Sequence, residues 1–255
     1  MFPVYLQRRD HVPMTIAIAY PTATALSPRR EVAAAAIRAV AAQVRRQIPL
    51  EGDSLAMALP TLIDACRVVE VNGQRLAVSW DVGRALCDES GQSVLGLCDI
   101  DPHEPGWAYI AVNGPMTTNR PDLALSTAAH ELGHLLFDVP AALGRGERRY
   151  RAVASSPGAL ERQGRGAEAR ANEFMGALLA PPVPLHTRLL AYARGEGLRL
   201  CRGPHEGRPA SPIVAAGNSH EALGGVLAAL AGDFGVSERF IAVRLSRYGL
   251  VEGGL

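Results

Sequence analysis

The 255 residues carry 26 basic against 25 acidic side chains, a net charge of +1, with 48% apolar and 5% aromatic residues. That balance is ordinary for a globular chain of one or two domains with a sizeable core, and it argues against a general polyanion binder. Every basic residue is Arg, so chemistry that needs a lysine amine, such as a Schiff base or a phosphate-loop lysine, is excluded.

The four cysteines, Cys66, Cys87, Cys98 and Cys201, form no C-x-x-C pair. They are too sparse for a disulfide framework or a zinc ribbon and read as reduced thiols of a cytoplasmic protein. At the start, Arg8-Arg9 before Met14 to Leu26 imitates a secretory signal, but Pro13 and Pro21 interrupt the apolar run. No segment reaches the length of a membrane span. Residues 1–28 are expected to be a flexible tail.

From Arg29 to Ile48, Val32, Ala36, Val40 and Val44 repeat at helical spacing until Pro49 stops them, and a further helical piece follows Asp53. Val68 to Val71 and Leu76 to Val78 flank Asn72-Gly73, a hairpin signal because both turn residues accept positive φ. Val94 to Ile100 and Trp107 to Val112 read as two more strands, giving a small, mostly antiparallel sheet. A helix is expected from Pro121 to Phe137, capped by Thr118 or Asn119. The Arg/Gly/Ser-rich stretch from Val139 to Gly166 reads as a mobile loop. Ala167 to Leu179 is helical again, with Ala171, Phe174, Met175 and Leu178 on one stripe, and Pro181-Pro182 ends it. A short helix spans Leu185 to Ala193. Residues 201–217 read as a linker, and two helices, His220 to Ala231 and Ser237 to Tyr248, close the chain.

The chemistry concentrates in His130-Glu131-Leu132-Gly133-His134. On a helix, residues four apart stand on one face, so two imidazoles can bind one zinc ion while Glu131 reaches its water as general base. At this chain's composition such a pattern arises by chance about 1% of the time. A catalytic zinc takes three protein ligands and keeps one open position. Candidates for the third are His186, His205, Glu161, Glu168 and Glu173, and a His two turns further along is absent, which disfavours the metzincin arrangement. Glu168 shares a helix face with Asn172, which is then placed to support a metal-bound imidazole as an outer partner. Tyr109, Tyr150 and His186 are unranked candidates for stabilising the oxyanion.

Ala129-His130-Glu131-Leu132-Gly133-His134-Leu135-Leu136, followed by Glu168-Ala169-Arg170-Ala171-Asn172-Glu173-Phe174-Met175-Gly176-Ala177-Leu178-Leu179-Ala180-Pro181, resembles the ImmA/IrrE metallopeptidase family. Tyr109 to Asn113, Arg120, Phe234 to Ser237 and Arg244-Leu245 extend the likeness, which covers about 68–250. Met175-Gly176 and the long 139–166 stretch depart from the family pattern. The resemblance implies an α+β, minimal zincin-like fold with two metal-binding helices, a Zn2+ held by His130, His134 and Glu168, and Glu131 as catalytic base. It also implies an endopeptidase acting on a protein, a helix-turn-helix transcriptional repressor by analogy. Residues 29–200 would form the metallopeptidase domain and 218–255 a helix-turn-helix-like module. The alternative is a DNA-binding or scaffold regulator with a structural or idle zinc site. Ser237 as cap with Arg239, Arg244 and Arg247 on the last helix favours it, while Glu238 and the absence of a basic cluster argue against nucleic-acid binding.

Overall fold

The computed structural model describes residues 14–25, 30–100, 103–104, 106–147, 150–153, 162–205 and 208–253. In chain order the elements are β1 (Thr15–Ile18), α1 (Thr22–Ala25), α2 (Arg30–Gln47), α3 (Leu59–Ala65), β2 (Val68–Val71), β3 (Gln74–Asp81), β4 (Gly96–Ile100) and β5 (Trp107–Val112). They continue as α4 (Gly114–Thr117), α5 (Pro121–Gly144), β6 (Tyr150–Val153), α6 (Arg162–Leu179), α7 (Pro182–Gly195), β7 (Leu200–His205), β8 (Arg208–Val214), α8 (His220–Phe234) and α9 (Glu238–Arg247). The fold is α+β, as the sequence predicts.

Six strands form one sheet in the order β1-β2-β3-β5-β4-β6. Its pairings are mixed, with β1 on β2 and β3 on β5 parallel and the other three antiparallel. The β2–β3 hairpin turns at Asn72 and Gly73, whose φ values of 51° and 83° are those the Asn-Gly pair was expected to supply. On one face the sheet packs against α5, which touches β4, β5 and β6, while α6 lies alongside both α5 and α2. From Thr127 to Val139 every residue of α5 is buried, because the helix has protein on all sides.

Four expectations are corrected. Residues 15–18, read as part of a tail, form β1, because Ile16 and Ile18 alternate into the core at 0% and 4% exposure; residues 1–13 and 26–29 lie outside the described ones. The 139–166 stretch is not a loop throughout: α5 runs on through Pro140 to Gly144, and β6 pairs with β4. The 201–217 linker is the β7–β8 hairpin, tied to the C-terminus by the Val214–Val251 bridge. The α5 N-cap is Arg120, with no side-chain cap bond, while Thr118 closes α4.

Candidate metal centre

The functional candidates lie where α5 crosses α6. The helices meet closely at Gly133, where a Cβ would stand 2.9 Å from the Cα of Ala171. Gly133 sits between the two motif histidines, so its missing side chain is what lets α6 bring Glu168 to them.

His130 Nε2 and His134 Nε2 are 3.2 Å apart. Glu168 reaches across from α6, with Oε2 3.2 Å from His130 Nε2 and Oε1 3.2 Å from His134 Nε2. The three donor groups lie within 4.8 Å of one another and form a set able to hold a metal ion. Of the five candidate third ligands the structure brings Glu168 to the pair.

Behind His134 stands Asp138, one turn further along α5. Its Oδ2 lies 2.7 Å from His134 Nδ1 and accepts from the Tyr150 hydroxyl at 3.2 Å, and its Oδ1 accepts from Arg170 Nη2 at 2.5 Å. An ionised carboxylate only accepts, so Nδ1 is the donating nitrogen and Nε2 is left to face Glu168. Burial opposes a carboxylate at Asp138, yet the His134 and Arg170 contacts lower its pKa below the ordinary value. Burial likewise opposes a charge on His134, but the hydrogen bonds to Asp138 and Glu168 prevail and lift its pKa to about 9. At Glu168 burial is again outweighed, and the two imidazoles hold its pKa at about 2.

Glu131 is the opposite case. It is fully buried at 0% exposure, and neither carboxylate oxygen has a hydrogen-bond partner among the described residues. Burial pushes its pKa up to about 8, with His134 opposing and Glu168 assisting. Its carboxylate lies against β4 at Gly96, where a Cβ would come within 2.5 Å of Oε1. A buried carboxyl without partners is costly to the fold, and a chemical role is one reason for such a group to be kept.

The remaining candidates take other roles. Glu161 lies outside the described residues. His186 donates from Nε2 to the Pro212 carbonyl at 2.7 Å, and His205 from Nδ1 to the Tyr248 carbonyl at 2.9 Å. The two rings contact edge-on at 4.6 Å and brace the β7–β8 hairpin. Glu173 is 4% exposed and bonds Arg38 at 2.6 Å, away from the donor set. The Asn172 backbone carbonyl accepts from Arg244 at 3.4 Å, and His134 has its support from Asp138. Tyr150 sits behind His134, while Tyr109 donates to Asp81 at 3.2 Å. A cavity of about 700 Å³ among Ser79, Asp99, Tyr109 and Arg151 is lined by none of the donors.

Sequence reasoning missed Asp138, Tyr150 as its partner, and Arg170. Asp138 had a signal, since 130, 134 and 138 follow one another at single-turn spacing; the pairings from β6 and α6 needed the tertiary structure. In the C-terminal pair, Ser237 caps α9 as expected by accepting from Phe240 N. Arg244, which the alternative DNA-binding reading would place on a recognition surface, is 2% exposed and faces α6. Among the described residues no helix is long and apolar enough to cross a membrane. Compared with protein-family models the chain matches none, and no curated protein matches it.

Proposed function

We propose that the chain is a zinc-dependent endopeptidase of the ImmA/IrrE kind, with His130, His134 and Glu168 as ligands and Glu131 as general base. The observation that carries this reading is the 3.2 Å spacing of the donor atoms. Ligands at about 2.0–2.1 Å from one ion, separated by a tetrahedral angle, stand about 3.3 Å apart. Two imidazoles and one carboxylate also match the donor chemistry of catalytic zinc, and the Asp138–His134 pair matches the carboxylate support such histidines receive.

Zinc held there supplies Lewis acidity, acidifying water and polarising a peptide carbonyl. The protein's own part is positioning and proton transfer. Asp138 fixes the His134 ring, so Nε2 points at the donor locus, and Arg170 with Tyr150 fixes Asp138. Glu131, next to His130 and without a partner of its own, takes as carboxylate the proton of the attacking water and passes it to the leaving amine. A protein substrate, by analogy a helix-turn-helix repressor, and a cytoplasmic setting complete the proposal. The free state of all four cysteines supports that setting.

Metal content and cleavage test it together. Purified wild type is expected to hold one zinc per chain. Incubated with a lysate of the cells the sequence comes from, it should create new protein N-termini detectable by mass spectrometry. Glu131→Gln should keep the zinc and lose cleavage by several orders of magnitude. Equal cleavage by that variant would overturn the role of Glu131, and a wild type without metal would overturn the reading as a whole.

A further inference from the structure

We infer that Arg244, in the C-terminal module, is a positioning residue of the metal site: lying across Gly176 of α6, it sets the roll of that helix and so the place of the Glu168 carboxylate. The inference rests on His130, His134 and Glu168 being metal ligands.

Helix α6 carries one ligand on one face and is gripped from the other. Glu173 follows Glu168 by five residues, which puts it about 7.5 Å along the axis and about 140° around it. On that far side three guanidinium groups converge. Arg38 from α2 bonds Glu173 Oε1 at 2.6 Å, while Arg244 and Arg247 from α9 each stand 3.7 Å from Oε2. Arg244 also donates to the Asn172 carbonyl at 3.4 Å. The Tyr248 ring is shared, with Arg38 Cζ 4.7 Å and Arg244 Cζ 5.5 Å from its centroid, and its hydroxyl donates to the Ala180 carbonyl at 3.2 Å. A buried guanidinium is tolerated only with such partners. Arg244 obtains them because residue 176 is glycine: a Cβ there would overlap the guanidinium itself.

The lever is short and the tolerance small. A carboxylate about 6 Å from the helix axis moves about 1 Å when the helix rolls by about 10°. Metal–ligand distances are held to within about 0.2 Å, so a roll of that size has to be taken up by the Glu168 side chain at a cost in binding. Gly133 against Ala171 limits approach from the α5 side, and the Arg244 contacts limit rotation from the other. Removing Arg244 leaves all three ligands in the chain but loosens one of them.

The experiment compares wild type with Arg244→Met, Arg244→Lys and Gly176→Ala. Three quantities are read: zinc affinity by competition with a chromophoric chelator, thermal unfolding of the chelator-stripped chain, and the visible absorption bands of the cobalt(II)-loaded protein. Arg244→Met should bind zinc about 10- to 100-fold more weakly, with altered cobalt bands and a still cooperative metal-free transition. Arg244→Lys should fall between. Gly176→Ala should follow Arg244→Met in zinc affinity even though alanine favours the helix, because the arginine is displaced. If Arg244→Met fails to fold, the other two variants decide by the same criteria. Unchanged zinc affinity and cobalt bands, whatever the unfolding temperature, would overturn the inference and leave the metal site standing. A wild type that binds no zinc would overturn both.

Discussion

Helix α5 carries a proline in its interior, and the structure identifies what makes that tolerable. Pro140 has no N–H, so the carbonyl of Leu136, four residues earlier, loses its helical partner. The Tyr20 hydroxyl donates to that carbonyl at 2.6 Å in a buried setting, with its ring 5.3 Å from Phe137. Tyr20→Phe keeps the ring and removes one oxygen, leaving a buried acceptor unsatisfied at a cost of about 1–3 kcal/mol. In a chain of this size that lowers the unfolding temperature by about 2–10 °C. The assay is a double-mutant cycle with Pro140→Ala, followed by urea unfolding. Restoring an N–H at position 140 supplies the Leu136 carbonyl from within the helix, so the cost of Tyr20→Phe should fall below about 0.5 kcal/mol in that background. An equal cost in both backgrounds would refute the assignment, since the lost bond would then have nothing to do with the proline.

Two further outcomes are expected. Gly96→Ala places a Cβ 2.5 Å from Glu131 Oε1 and 2.6 Å from Thr127 Cγ2, so the carboxylate must shift; hydrolysis should drop about 100-fold with zinc affinity changed only a few-fold, and equal losses in both would mean that β4 positions the ligands as well. Burial pushes the Cys66 thiol up to about 12 and raises Cys98 too, whereas Cys87 is exposed. At pH 8 only about one part in ten thousand of the Cys66 thiol is thiolate, so mass spectrometry should find an alkylating reagent on Cys87 in the native chain and on Cys66 and Cys98 only after unfolding; native labelling of Cys66 at the Cys87 rate would contradict the packing.

What was legible in the sequence is what local rules govern. The Asn72-Gly73 hairpin, the β5 strand and the helix beneath His130 and His134 each announce themselves within a dozen residues, because turn chemistry and periodicity act at that range. Elements sustained by distant partners were not legible. Strand β1 is four residues between prolines and is stabilised by parallel pairing with β2, more than forty-five residues on. Local rules end α5 before Pro140, whereas the hydroxyl that compensates the proline and lets the helix continue sits on distant Tyr20. The β7–β8 hairpin reads as a linker because its Gly, Pro and Ser content suits turns, and its order comes from the Val214–Val251 bridge and the braced histidines. At the site, the His-Glu-x-x-His spacing marks two donors and Glu131. Asp138 lay at helical spacing but without a motif to mark it.

The last helix pair shows why a pattern of basic residues does not by itself identify a nucleic-acid reader. Arg244 and Arg247 have the spacing of a recognition helix, but both side chains stand 3.7 Å from the carboxylate of Glu173. Whether an arginine at such a position faces phosphate or protein depends on whether the neighbouring element offers a carboxylate and enough room. Here α6 offers Glu173 for the charge and Gly176 for the space, and Tyr248 supplies an aromatic face. Glu173 and Gly176 lie on the helix that also bears Glu168, so on the proposed reading stable docking of α9 and placement of the Glu168 carboxylate use the same contacts. Redirecting Arg244 towards an external polyanion would break its Glu173 and Asn172 contacts and free α6 to roll. The arginine that gives α9 the pattern of a reading helix is thus held against α6, the helix that bears Glu168.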